Sequence, residues 1–159
     1  MVAEFPGGPA MSIQAELRIG VVTTSAEETR GLGARLAATL PPDVTLALHG
    51  DLGVGKTTFV QGLAHGFGLP GAVTSPTFNI LHLYRAPASA QRTRMLAHLD
   101  AYRIENAHQV AELMLDDLLI SPYCLAVEWP ERIAAWLPAD ALHLTLAIEA
   151  PGRHRVMLI

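Results

Sequence analysis

One eight-residue segment, Gly50–Thr57, constrains this chain more than any other part of its sequence. It reads Gly-Asp-Leu-Gly-Val-Gly-Lys-Thr and fits the pattern G-x-x-x-x-G-K-[ST] without a mismatch. The apolar run Val44–Leu48 precedes it, and the helical pattern Thr57–Phe67 follows it. This is the order of a buried strand, a glycine-rich loop and a helix, so the sequence predicts an α/β fold built around the loop.

The loop has the chemistry of a phosphate-binding site. Its glycines let successive backbone N–H groups point at one anion, and the helix that begins there adds the positive end of its dipole. The Lys56 ammonium can reach β- and γ-phosphates, and the Thr57 hydroxyl can ligate Mg²⁺. An ordinary glycine-rich turn is the alternative, but the complete pattern favours nucleoside triphosphate binding. The loop residues predicted to contact the nucleotide are Asp51, Leu52, Gly53, Val54, Gly55, Lys56, Thr57 and Thr58.

Length, composition and charge limit the possible functions. The 159 residues are typical of one domain, and half of them are hydrophobic, which is enough for a sizeable core. Eleven basic residues against 15 acidic ones leave a formal charge of −4, which argues against strong solitary binding to nucleic acid. The one cysteine, Cys124, excludes an internal disulfide and a cysteine-based zinc site.

The sequence shows neither a membrane segment nor an export signal. No window approaches about 18 uninterrupted apolar residues, and residues 1–10 lack the basic start and apolar stretch of a secretory signal. We therefore expect a cytoplasmic protein with no membrane contact. Residues 1–15 are predicted to form a disordered extension and residues 16–159 a single nucleotide-binding domain. Either Met1 or Met11 can be the true start.

Predicted strands and helices alternate along this domain. Leu17–Val22 reads as a short strand, and Ser25–Glu28 has the S-x-x-E form of a capping box that begins a helix. Asn106 is predicted to cap one later helix. Near the end, Leu142–Ile148 and Arg155–Ile159 read as a closing hairpin. The fold expected from this alternation is a P-loop NTPase-like three-layer sandwich, with a largely parallel central sheet and an antiparallel flank.

Two carboxylates follow predicted buried strands. Asp100 comes directly after Met95–Leu99, and Glu128 comes directly after Cys124–Val127. Because ligands bind at the carboxyl ends of parallel strands, both side chains are expected beside the phosphate loop, where they can serve a Mg²⁺–triphosphate. The residues alone do not divide metal binding and water orientation between the two acids. His98 shares a strand face with Asp100 and is either a supporting group for this site or a structural histidine.

Four segments in this order and spacing resemble the TsaE family, formerly YjeE, the small bacterial ATPases of threonylcarbamoyladenosine tRNA modification. They are Gly50–Thr58, Thr74–Phe78, His98–Arg103 and Val127–Arg132, and the resemblance covers about residues 24 to 155. The phosphate loop alone would not identify the family. Its combination with S-P-T-F, H-x-D-x-Y-R and E-W-P-E is specific.

The resemblance implies roles for individual residues. Thr57 and Glu128 resemble the family's magnesium ligands, and Asp100 resembles its Walker-B-like acid. Thr74–Phe78 resembles a switch-like loop near the γ-phosphate. Residues that resemble secondary nucleotide contacts are Thr24, Ala26 and Glu131. Together with Lys56, the two acids form the expected catalytic set of a Mg²⁺-dependent ATPase.

The resemblance also implies partners and a biological role. The family acts with TsaD, which transfers the threonylcarbamoyl group, and with TsaB, its scaffold. ATP hydrolysis then supports turnover of the assembly, and the tRNA is met only indirectly through the complex. One departure is Met114, where the family often has glycine.

Two other functions remain open from the residues. A small-molecule phosphotransferase would need an acceptor site and an arginine-rich lid, which Arg85, Arg92 and Arg94 could mimic. A nucleotide-dependent switch module would work by binding alone. A guanine-specific switch would carry an N-K-x-D segment, and the sequence has none.

Overall fold

The structure is a computed structural model that describes residues 10–69, 73, 80–87, 93 and 95–159. The strands are β1 (Val21–Thr23), β2 (Val44–His49), β3 (Leu81–Arg85), β4 (Met95–Asp100), β5 (Tyr123–Glu128), β6 (Leu142–Ala150) and β7 (Arg153–Leu158). The helices are α1 (Ile13–Ile19), α2 (Ala26–Ala37), α3 (Lys56–Gly66), α4 (Ala107–Glu112) and α5 (Leu115–Leu118), with a 3₁₀ helix at Pro130–Ile133. The predicted switch-like segment, Thr74–Phe78, lies outside the described residues.

The strands form one seven-stranded sheet in the order β1-β7-β6-β2-β5-β4-β3. The central strands β6, β2, β5 and β4 are parallel. β7 and β1 extend the sheet antiparallel at one end, and β3 pairs antiparallel with β4 at the other. The predicted α/β fold with a largely parallel centre is confirmed, and antiparallel strands stand at both edges.

Helices cover both faces of the sheet, so the three-layer arrangement follows from the two-residue period of its strands. In β5, Cys124 and Ala126 face a core shared with α1, α2 and α3, whereas Leu125 and Val127 face a second core with α4, α5 and the 3₁₀ helix. Because both faces are buried, the central strands read as continuous apolar runs. No helix in the described part of the chain is long and apolar enough to cross a membrane.

The start of the domain differs from its prediction. Residues up to Ile19 form α1, which begins after Ser12, and only Val21–Thr23 are strand. Ile13 and Leu17 lie one helical turn apart and are both buried, so a helical period accounts for residues that we read as a strand. The predicted extension over residues 1–15 therefore ends inside α1, and residues 1–9 lie outside the described part.

Two predicted helix starts are confirmed, and one predicted helix is interrupted. The Ser25 hydroxyl accepts from the Glu28 N–H at 3.1 Å, and the Asn106 side chain accepts from the Gln109 N–H at 3.1 Å. The helix after Asn106 breaks at Met114, whose φ of 51° is left-handed. That conformation suits glycine, which agrees with the expectation that relatives carry glycine at this position.

Helices α2 and α3 approach closely because Gly62 has no side chain. A Cβ atom at Gly62 would lie 2.1 Å from the Arg30 carbonyl oxygen, and one at Gly33 would lie 2.4 Å from the Phe59 carbonyl oxygen. Backbone atoms of one helix therefore occupy the space that a larger residue on the other would need. This contact positions the helix that begins at the phosphate loop.

We predict that Gly62→Ala lowers the free energy of unfolding by about 1–3 kcal/mol, because overpacking outweighs the better helix propensity of alanine. Gly31→Ala is the matched control, since a Cβ there meets nothing within 4 Å. It should instead raise the free energy of unfolding by about 0.5–1 kcal/mol. Urea unfolding measures both, and equal effects of the two substitutions would contradict the close-approach explanation.

Candidate functional site

The phosphate loop joins the end of β2 to the start of α3, as its pattern predicted. Gly53 and Gly55 have φ values of 79° and 104°, which favour glycine. Gly55 is the N-cap of α3 and supplies no side-chain hydrogen bond to the first turn. The N–H groups of that turn therefore remain available to an anion at the positive end of the helix dipole.

Lys56 lies in the floor of this loop. The residue is only 5% exposed, and its ammonium donates to the Gly50 carbonyl oxygen. Its Nζ atom also lies 4.0 Å from the centre of the Trp129 ring. Burial lowers the pKa of Lys56, an effect that Glu128, Asp100 and further acidic residues partly oppose. The Gly50 carbonyl and the Trp129 ring thus hold the Lys56 ammonium beside the loop. An anionic ligand in the loop can take the place of the carbonyl.

Glu128 and Asp100 end neighbouring strands, and the parallel register places them side by side. Glu128 Oε1 lies 3.5 Å from the Thr57 hydroxyl oxygen, and Oε2 lies 3.0 Å from His98 Nε2. Asp100 accepts from the Tyr102 N–H at 3.0 Å. The structure therefore brings Thr57 and both predicted acids to one edge of the sheet, beside Lys56.

The Thr57 and Glu128 oxygens suit a small hard cation. Two neighbouring ligands of octahedral Mg²⁺ at about 2.1 Å lie about 3 Å apart, close to the separation seen here. Within the described residues no group of three His, Cys, Asp or Glu side chains could hold a metal ion. A cation at this position would therefore need further oxygens from a ligand, as Mg²⁺ does when it is bound with a nucleotide.

Two neighbouring clefts meet at the loop. One, of about 230 Å³, is lined by Leu52, Gly53, Gly55, Lys56, Thr57, Thr58, Asp100, Glu128 and Trp129. The other, of about 290 Å³, is lined by Thr24, Ser25, Ala26, Thr29, Gly53, Gly55, Thr58, Gly152 and His154. Gly53, Gly55 and Thr58 line both clefts, so the two are adjacent. The first cleft is polar and contains Lys56, Asp100 and Glu128. The second cleft lies between α2 and the β6–β7 hairpin.

Most predicted site residues line these clefts, and some do not. Thr24 and Ala26 line the second cleft, whereas Asp51 and Glu131 lie outside the lining of both. Val54 is buried, and its carbonyl accepts from His154 Nδ1 at 2.8 Å. The roles of all these residues stay predictions.

Sequence reasoning missed several lining residues. Gly152 and His154 come from the closing hairpin, and Thr29 comes from inside α2. Gly152 and His154 reach the loop because β7 lies beside β6 in the sheet order, and Thr29 reaches it because α2 packs against α3. No local pattern marks them as site residues, so only the long-range packing could have found them.

A histidine pair lies directly before the loop. His49 Nε2 lies 2.8 Å from His143 Nδ1, and His49 Nδ1 lies 3.9 Å from a Glu131 carboxylate oxygen. Burial, followed by the nearby His143, lowers the pKa of His49, and Glu131 partly opposes this shift. Protonation of His49 is therefore less favourable in the folded protein than in the unfolded chain.

We predict that His49 contributes to acid destabilisation. A base with a lowered folded-state pKa binds fewer protons in the folded state, so stability falls as the pH drops below about 6.5. His49→Gln should reduce the loss of unfolding free energy between pH 7 and pH 5. His108→Gln is the control because that side chain is 81% exposed. If urea unfolding shows the same pH dependence for wild type and His49→Gln, the assignment is wrong.

Comparison with known proteins gives a consistent result. Residues 23–156 match the family described as threonylcarbamoyl adenosine biosynthesis protein TsaE. The chain is 36% identical over 124 residues to the Bacillus subtilis protein named tRNA threonylcarbamoyladenosine biosynthesis protein TsaE, covering 78% of this chain and 74% of the relative. It is 30% identical to the Treponema pallidum protein of the same name, covering 85% of this chain and 96% of the relative.

A solved structure extends the similarity to three dimensions. The crystal structure of Bacillus subtilis YdiB aligns with a TM-score of 0.67 and 29% sequence identity, covering 87% of this chain and 82% of that one. The overall fold is therefore one that this chain shares with that protein.

Proposed function

Because this chain belongs to the TsaE family, we propose that it is the ATP-binding and ATP-hydrolysing component of tRNA threonylcarbamoyladenosine biosynthesis. One observation carries the proposal. Thr57 and Glu128 place oxygens 3.5 Å apart at the start of α3, next to the buried ammonium of Lys56. That combination supports a Mg²⁺-dependent triphosphate site more than a site for any other anion.

The nucleotide occupies both of the adjacent clefts. The triphosphate lies in the cleft of Lys56 and Asp100, where loop N–H groups and the helix dipole face it. The ribose and base lie toward Ala26 and His154 in the second cleft. When the nucleotide binds, the Lys56 ammonium leaves the Gly50 carbonyl and donates to phosphate oxygens instead. Its positive charge then stabilises the bound anion.

Thr57 and Glu128 would hold Mg²⁺ in this site, where the ion would neutralise charge on the phosphate oxygens. A Glu128 carboxylate oxygen lies 3.5 Å from the Thr57 hydroxyl oxygen, and this contact supports Glu128 as the metal-side acid. Asp100 stands beside it on the neighbouring strand and orients the attacking water. Lys56 stabilises the charge that develops on the transferred phosphoryl group.

In the proposed role the protein acts in the cytoplasm with TsaB and TsaD and contacts tRNA only through them. Its net charge of −4 gives it no electrostatic reason to hold tRNA alone. ATP hydrolysis then supports repeated turnover of the assembly.

We predict slow ATP hydrolysis by the isolated chain and a faster rate when both partners are added, because partner contact completes the site and excludes water. Phosphate release should be measured for the chain alone, with each partner, and with both. Lys56→Ala provides the control: loss of one preorganised contact costs about 3–4 kcal/mol of transition-state stabilisation, a hundredfold or more in rate.

Each outcome of this experiment points to one function. Equal rates in all four mixtures would contradict the partner-dependent proposal. Near-normal hydrolysis by folded Lys56→Ala would contradict the phosphate-loop assignment. A phosphorylated metabolite in place of free phosphate would indicate the phosphotransferase alternative.

A further inference from the structure

His98 is a fully buried polar residue next to the proposed metal-side acid. It lies on β4 opposite Ala126 of β5, two residues before Glu128. Its exposed fraction is 0%, and its Nε2 atom lies 3.0 Å from Glu128 Oε2. The Glu128 side chain is itself only 5% exposed, so water does not compete strongly for this contact.

The other ring nitrogen indicates which atom carries the proton. Among the described residues, Nδ1 of His98 is buried and has no hydrogen-bond partner. A proton on Nδ1 would create a buried donor without an acceptor, which is rare in folded proteins. A proton on Nε2 instead donates to a carboxylate oxygen, which can only accept when ionised. The hydrogen-bond geometry therefore favours a proton on Nε2.

A buried nitrogen without a hydrogen-bond partner is unfavourable, and an apolar side chain of similar size would avoid that cost. Nε2, which does have a partner, is therefore the atom that accounts for a histidine at this position. Its bond occupies Oε2 of Glu128 and restricts rotation of the carboxylate. The second oxygen, Oε1, then remains directed toward the Thr57 hydroxyl, 3.5 Å away.

We propose that His98 is a positioning residue that holds the Glu128 carboxylate so that Oε1 faces the Mg²⁺ position beside Thr57. This inference rests on the proposed nucleotide site and assigns one further residue to it. His98 touches neither the nucleotide nor the reacting atoms. It acts only through Glu128, as residues that orient metal ligands commonly do.

Two substitutions separate the Nε2 proton from the rest of the ring. Gln places an amide N–H near the position of Nε2, so His98→Gln can keep the bond to Glu128. Asn places its amide near the position of Nδ1, so His98→Asn loses that bond while it stays polar. His108→Asn is the matched surface control, because its side chain is 81% exposed.

The readout is binding of a fluorescent, non-hydrolysable ATP analogue, titrated with Mg²⁺ and compared with binding in EDTA. We expect His98→Asn to raise the Mg²⁺ concentration for half-maximal tightening about tenfold or more, with His98→Gln within about threefold of wild type. His108→Asn should match wild type. In a Glu128→Gln background, adding His98→Asn should cause no further change, because the group that His98 positions has already been altered.

Several results would overturn the inference. One is a Mg²⁺ titration of His98→Asn that is indistinguishable from that of wild type, and another is a defect in His98→Gln as large as that in His98→Asn. Loss of analogue binding in EDTA by both variants would assign His98 a purely structural role. If wild type binds the analogue equally with and without Mg²⁺, the proposed metal site fails together with the inference. Wild-type tightening by Mg²⁺ without an effect of His98→Asn would refute the inference alone.

Discussion

The parallel pairing of β5 with its two neighbours is the interaction on which the site depends. Its register sets Glu128 opposite Asp100 on one side and opposite Leu48, just before the loop, on the other. A slip of one residue would turn the Glu128 side chain to the opposite face of the sheet, away from Thr57. Buried apolar side chains on both faces of these strands prevent that slip. The packing of the core therefore determines the geometry of the acids.

The groups in and around the proposed phosphate site are also those that fit the folded protein least well. Lys56 is a buried cation with a lowered pKa, and His98 is buried with no hydrogen-bond partner for Nδ1 in the described part of the chain. Trp129 adopts a left-handed φ of 56° directly after Glu128 and places its ring over Lys56. Each feature is unfavourable alone, and the surrounding sheet and the close α2–α3 contact support it. Such features are common where a site must be ready for a charged ligand.

How much the sequence could predict varied with the range of the interactions. The strand–loop–helix unit and the acids after β4 and β5 were predictable, because a local pattern and the carboxyl ends of parallel strands determine them. Helix α1 was misread, because Leu17, Arg18 and Ile19 alternate as in a strand, whereas the four-residue spacing of Ile13 and Leu17 fits a helix. The break at Met114 needs a left-handed residue that propensity does not indicate. His154 reaches the loop only because the β6–β7 hairpin pairs with β2, which is distant in sequence.

A crystal structure with Mg²⁺ and a non-hydrolysable ATP analogue tests the central claim most directly. We predict that the triphosphate lies against the loop N–H groups at the start of α3. Mg²⁺ should bond to the Thr57 hydroxyl at about 2.1 Å, with the Glu128 carboxylate within about 6 Å, a distance that still permits a water-mediated contact. A nucleotide bound elsewhere, or Glu128 beyond that distance from the metal, would contradict the account.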